Sequence, residues 1–89
     1  MIGRVRAWVA RRRRRRQLLA EAGYYQDRAD TALAWAAVDL ERSRRLAKQM
    51  PLSGAKLRRQ AARLWERGLS AQAKANALRE EAATLARRT

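Results

Sequence analysis

Apolar residues recur at alternating steps of four and three through the second half of the chain. Such spacing keeps one stripe on a single face of a supercoiled helix, and the stripe here runs unbroken over four heptads. The pattern predicts a helix over 54–88. Its apolar positions are Leu57, Ala61, Leu64, Gly68, Ala71, Ala75, Leu78, Ala82 and Leu85.

A second stripe of the same kind lies in the preceding segment and predicts a helix over 17–50. This stripe is less regular, because Ser43 interrupts it. The two predicted helices are of similar length, as the two arms of a hairpin would be. The positions of the first stripe are Leu18, Ala22, Tyr25, Ala29, Leu33, Ala36, Leu40 and Ala47.

The segment between the two stripes carries the signals of a turn. Pro51 disfavours helical backbone at the residue before it, and Ser53 is a suitable N-cap for a following helix. We therefore place the turn at 51–53. Folding the chain there pairs positions whose numbers sum to about 104, so that Ala36 faces Gly68. The expected fold is all-α: a long, coiled-coil-like antiparallel helical hairpin.

Four larger apolar residues lie beside the two stripes, and the same register brings them into one cluster. A two-helix hairpin with an alanine-rich interface buries little area and is marginally stable alone. We expect a second copy, forming a four-helix bundle, or a partner helix to cover this cluster. Alternatively, the tryptophan rings fold back over the hairpin. The proposed interface residues are Trp35, Val38, Trp65 and Leu69.

Composition supports a helical, non-enzymatic protein of one domain. The 89 residues include 20 Ala and 11 Leu but only four Val or Ile, which argues against a sheet. Cys and His are absent, so thiolate metal sites and the commonest general base are missing. The inward positions are Leu, Ala and Gly rather than metal ligands. We expect no catalysis, no cofactor, no metal and no small-molecule substrate.

The net charge of +14 is unevenly distributed. Residues 1–16 carry +8, residues 17–50 are neutral, and residues 51–89 carry +6. We therefore divide the chain into a basic N-terminal arm, 1–16, and a helical hairpin, 17–89. Runs of like charge are usually solvated or disordered until a partner neutralises them. A short helix is the alternative for the arm.

The basic residues predict binding to phosphate, because arginine forms bidentate hydrogen bonds and stays charged. The partner would be DNA or RNA, bound with little sequence specificity. However, Arg outnumbers Lys by 19 to 3, a bias that GC-rich coding also produces. No aromatic series accompanies the cations, which argues against base stacking. The candidate anion-binding residues are Arg4, Arg6, Arg11, Arg12, Arg13, Arg14, Arg15, Arg16, Lys56, Arg59, Arg63 and Arg67.

Another class of function remains open. Ile2, Val5, Trp8 and Val9 fall on one helical face beside arginines, a pattern typical of an interfacial anchor on anionic lipid. Alternatively, Trp8 packs against the other tryptophans. The second hypothesis is thus a structural or adaptor subunit of a larger helical assembly, whose arm contacts an acidic partner or an anionic membrane surface. Without a signal peptide or membrane span we expect a cytoplasmic protein, compatible with virion or nucleoid association.

Overall fold

A computed structural model describes residues 2–88 of the chain; Met1 and Thr89 lie outside the described residues. These residues form two α-helices, α1 (Ile2–Ala47) and α2 (Pro51–Arg87). The helices pack side by side as an antiparallel hairpin measuring 73 × 14 × 12 Å, and the described part contains no strand. The expected all-α hairpin is confirmed.

The turn comprises residues 48–50, three positions earlier than expected. Met50 has φ −133° and ψ 81°, the extended backbone that is usual before proline. Pro51 is the first residue of α2, where a missing N–H costs nothing because no helical carbonyl is available to accept it. Ser53 therefore lies inside the first turn of α2 and is not its cap. Proline starts the second helix here instead of standing in the turn.

The register of the two helices differs from the expected one by about six residues. The side-chain amides of Gln26 and Gln72 exchange hydrogen bonds of 2.7 and 2.8 Å, and their numbers sum to 98 rather than 104. This shift follows from the turn, because moving its centre by three residues changes each pair sum by six. Gly68 consequently lies against Leu33 and not opposite Ala36.

The interface between the helices, which we call the seam, follows the two apolar stripes, and most of its fully buried members are small residues at seven-residue intervals. Ser43 is buried in this series, so the expectation that it interrupts the stripe is wrong. Its hydroxyl donates to the Leu40 carbonyl oxygen at 2.7 Å, which satisfies the buried polar group. The buried small residues are Ala22, Ala29, Ala36 and Ser43 of α1 and Gly54, Ala61, Gly68, Ala75 and Ala82 of α2.

Two glycines of the seam permit a close approach of the helices. A Cβ atom on Gly54 would lie 2.9 Å from the Ala47 Cα and 3.0 Å from the Ser43 carbonyl oxygen. A Cβ atom on Gly68 would lie 2.7 Å from the Leu33 Cδ2. A seam of such small residues buries few large side chains, and most large apolar residues remain partly exposed.

Helix α1 continues without a break through Arg11–Arg16, so this part of the expected solvated arm is regular helix. Arginine is a good helix former, and the end of α2 packs alongside the run. Trp8 and Arg15 line a hollow together with Leu85, whereas Ile2 near the start of α1 is strongly exposed. Trp8 therefore lies near the end of α2, which excludes its packing against the other tryptophans. Within residues 2–88, neither helix has an apolar stretch long enough to cross a bilayer.

Candidate functional site

Trp35 and Trp65 lie on opposite sides of the hairpin. In an antiparallel helix pair, residues that directly precede a seam position share one side, and residues that directly follow one share the other. Trp35 precedes Ala36 and lines a groove with Arg67 of α2. Trp65 follows Leu64 and belongs to the other side. The expected single cluster is thus divided into two pairs, Trp35 with Val38 and Trp65 with Leu69.

The side that carries Trp35 contains a groove of mixed aromatic and cationic character. The Lys74 ammonium lies 5.2 Å from the centre of the Tyr25 ring, a cation–π contact that joins the two helices. The Arg28 Nη1 donates to the Tyr24 hydroxyl at 2.7 Å. We call this region the aromatic groove and define it by Tyr24, Tyr25, Arg28, Trp35, Arg67 and Lys74.

The opposite side carries a more apolar surface. Trp65 and Leu69 are about half exposed, and Leu40 of α1 is more than one-third exposed. Trp65 and Leu69 directly follow seam positions of α2. Leu40 lies four residues after Ala36, which turns it by about 40° toward the same side. We call this surface the apolar face and define it by Leu40, Trp65 and Leu69.

Half of the Arg11–Arg16 run faces α2. The guanidinium of Arg14 lies 3.8 Å from the Glu81 carboxylate, and both side chains are about half exposed. Arg11 and Arg15 line the hollow beside Leu85, where the Arg11 Nε is buried without a hydrogen-bond partner. The ion pair of Arg14 and the partial burial of Arg11 make these two side chains less available to an external ligand, and Arg15 lies beside them. We call Arg11, Arg14 and Arg15 the inward arginines.

The remaining arginines of the N-terminal part point away from α2 or along its edge. Successive helical residues are turned by about 100°, so no single surface contains the whole run. Arg13 shares a surface with Arg6, one heptad earlier, and with Arg14, whereas Arg16 lies on the neighbouring edge. Arg4 is exposed, whereas Arg12 lines the hollow beside Leu85 and its guanidinium lies 5.2 Å from the Trp8 ring centre. We call Arg6, Arg13 and Arg16 the outward arginines.

The candidate basic residues of α2 are all exposed. Lys56, Arg63 and Arg67 directly precede seam positions, which places them on the side of the aromatic groove. Arg59 lies on the outer surface of the helix, away from α1. The structure thus brings the cations of α2 and the aromatic rings of α1 to one side of the molecule.

The sequence pattern does not single out Tyr24, Tyr25 or Arg28 as functional residues. They approach Arg67 and Lys74 only because the hairpin joins segments that are 39 to 50 residues apart in the sequence. The groove places aromatic rings of α1 beside cations of α2, although no aromatic series accompanies those cations along α2 itself. A usable signal existed in the sequence, because these residues lie on the same side of the seam as Trp35. Within residues 2–88, no cluster of acidic residues is arranged to hold a metal ion.

Comparison with known protein families, curated proteins and solved structures finds no match for this chain.

Proposed function

We propose that this protein binds nucleic acid through phosphate contacts, without catalysing a reaction, and that it assembles through the apolar face of its hairpin. The observation that carries the proposal is that most arginine and lysine side chains in the described part form no ion pair with a carboxylate. Within residues 2–88, only Arg14 and Arg45 form ion pairs with carboxylates. Apart from the inward arginines, the candidate arginines and lysines are exposed and available to an external polyanion.

Phosphate is the anion that fits these side chains best. The planar guanidinium of arginine donates two hydrogen bonds to one phosphate at the same time. A nucleic acid carries a phosphate at every nucleotide, so it can contact many arginines along a rod-shaped protein. The outward arginines supply one such surface, and the basic residues on the groove side of α2 supply another. Neither surface has a shape that would enter the major or minor groove of a duplex and contact the edges of the bases. The proposed binding is therefore largely independent of base sequence.

Assembly is supported by the composition of the seam. Buried alanines and glycines contribute less hydrophobic free energy than leucines would, so the hairpin gains from covering further apolar area. The apolar face offers a half-exposed tryptophan at its centre, the residue type that most often dominates protein interfaces. A second copy packed on this face completes a four-helix arrangement.

Fluorescence anisotropy with labelled duplexes tests the binding proposal. Random-sequence duplex DNA and RNA should both bind at low salt, with affinities that differ little between sequences. A duplex bound only in one sequence would contradict phosphate recognition. A chain that binds neither duplex at low salt would overturn the proposal and favour the alternative, an adaptor whose arm contacts an acidic protein or an anionic membrane.

A further inference from the structure

The aromatic groove is an open depression on the surface of the hairpin. It lies along the junction of α1 and α2 and has a volume of about 810 Å³, within the range of small-molecule pockets. Hydroxyl groups of Thr31 and Ser70 line it as well, so hydrogen-bonding groups accompany its rings and charges. Since both helices contribute, the groove exists only in the folded hairpin.

Trp35 is the ring in this groove that is free for a ligand. Tyr24 and Tyr25 contact each other edge to face, with ring centres 5.3 Å apart, and each also lies beside a cation. Trp35 has no such ring or cation contact within residues 2–88, and 54% of its surface is exposed. An unpaired, half-exposed indole offers a flat surface on which another ring can stack.

The charges that line the groove select an anionic ligand. Three cations, Arg28, Arg67 and Lys74, face a single acidic residue, Asp27. The cation–π contacts hold Arg28 and Lys74 at the wall of the groove. Lys56 and Arg63 continue the positive charge along the same side of α2. A second copy of this chain is a poor occupant, because its own cations would face these.

The combination of a free aromatic ring with flanking cations is the recognition chemistry of single-stranded nucleic acid. In a duplex the faces of the bases are hidden by stacking, whereas a single strand exposes a base face beside each phosphate. We propose that the aromatic groove binds single-stranded nucleic acid, with a base stacked on Trp35 and the adjoining phosphates on Arg67 and Lys74. This inference rests on the proposed function, since it assumes that nucleic acid is the partner.

The test compares strands with and without bases on the full chain and its variants. Anisotropy is measured with an oligothymidylate of about 12 nucleotides and with an abasic strand of equal length and charge. Trp35→Ala should weaken binding of the thymidylate about tenfold or more and leave the abasic strand unaffected. Trp35→Phe should restore most of the loss, because it retains a ring. Circular dichroism and light scattering establish that each variant keeps its helices and its mass.

The possible outcomes separate a failure of the single-strand site from a failure of the proposed nucleic-acid binding as a whole. If the wild-type chain and Trp35→Ala both bind the thymidylate and the abasic strand with equal affinity, no base stacks on Trp35. That result would overturn the proposed single-strand site but not the proposed phosphate binding. Failure to bind any strand or duplex at low salt would overturn the proposed function itself. If Trp35→Ala changes the oligomeric mass without changing the preference for bases, the groove is a protein interface and the inference is wrong.

Discussion

Gly54 and Ala47 approach so closely that a Cβ atom on Gly54 would lie 2.9 Å from the Ala47 Cα. The obstructing atoms belong to the backbone, so no rotation of a side chain relieves the contact. This approach sits next to the turn, where the two helices begin to pack. The size of the residue at position 54 therefore sets the separation of the helices at this end of the seam.

Gly54→Ala should lower the free energy of unfolding by about 1–2 kcal/mol, because strain from the added methyl group exceeds the gain in helix propensity. Gly23→Ala is the matched control, since a Cβ atom there meets nothing within 4 Å. That variant should gain up to about 1 kcal/mol of stability. Urea unfolding at a fixed protein concentration measures both. Equal stabilisation by the two substitutions would contradict the close approach.

Disulfide formation between introduced cysteines tests the register of the two helices. The sequence has no Cys, so the introduced thiols have no competing partner in the same chain. A chain carrying Gln26→Cys and Gln72→Cys should oxidise to an intramolecular disulfide readily, because these side chains meet across the seam. The control pairs Gln26→Cys with Arg79→Cys, on the same side but displaced by about 10 Å along the axis. Faster oxidation of the control pair would contradict the observed register and support the pair sum of about 104 that the sequence alone indicates.

Assembly through the apolar face predicts different effects for two tryptophans of similar exposure, Trp65 at 51% and Trp35 at 54%. Trp65→Ala should raise the dissociation constant of the oligomer about tenfold or more, whereas Trp35→Ala should leave it unchanged. Light scattering over a range of concentrations measures both. Since Arg44 and Arg58 border this face, added salt should strengthen assembly by screening their repulsion. A wild-type chain that stays monomeric at high concentration would refute this interface.

The heptad spacing predicted the two helices and the antiparallel hairpin, because periodicity depends only on residue order. The turn was misplaced because Pro51 has two compatible roles, ending one helix or starting the next, and local rules do not choose between them. Ser43 was judged by its polarity, although in a seam this tight its small size and its bond to the Leu40 carbonyl matter more.

The candidate site was less predictable than the fold. Placing Trp35 and Trp65 on one surface ignored the side of the seam on which each residue lies. Charge repulsion alone predicts a solvated or disordered arginine run, with a short helix as the alternative, because it takes no account of the neighbouring end of α2. Tyr25 and Lys74 meet only after folding, so no local pattern joins them.

The salt dependence of duplex binding tests the central claim of phosphate recognition most directly. A helical N-terminus should place about three arginines on one duplex surface, so replacing all three outward arginines by Gln should reduce the magnitude of the slope of log K against log salt by about 2.7. Replacing the inward arginines removes the same charge and should change the slope less, because Arg14 is paired with Glu81 and Arg11 is partly buried. A slope that does not change with the outward set, or that changes equally with both sets, would contradict the account.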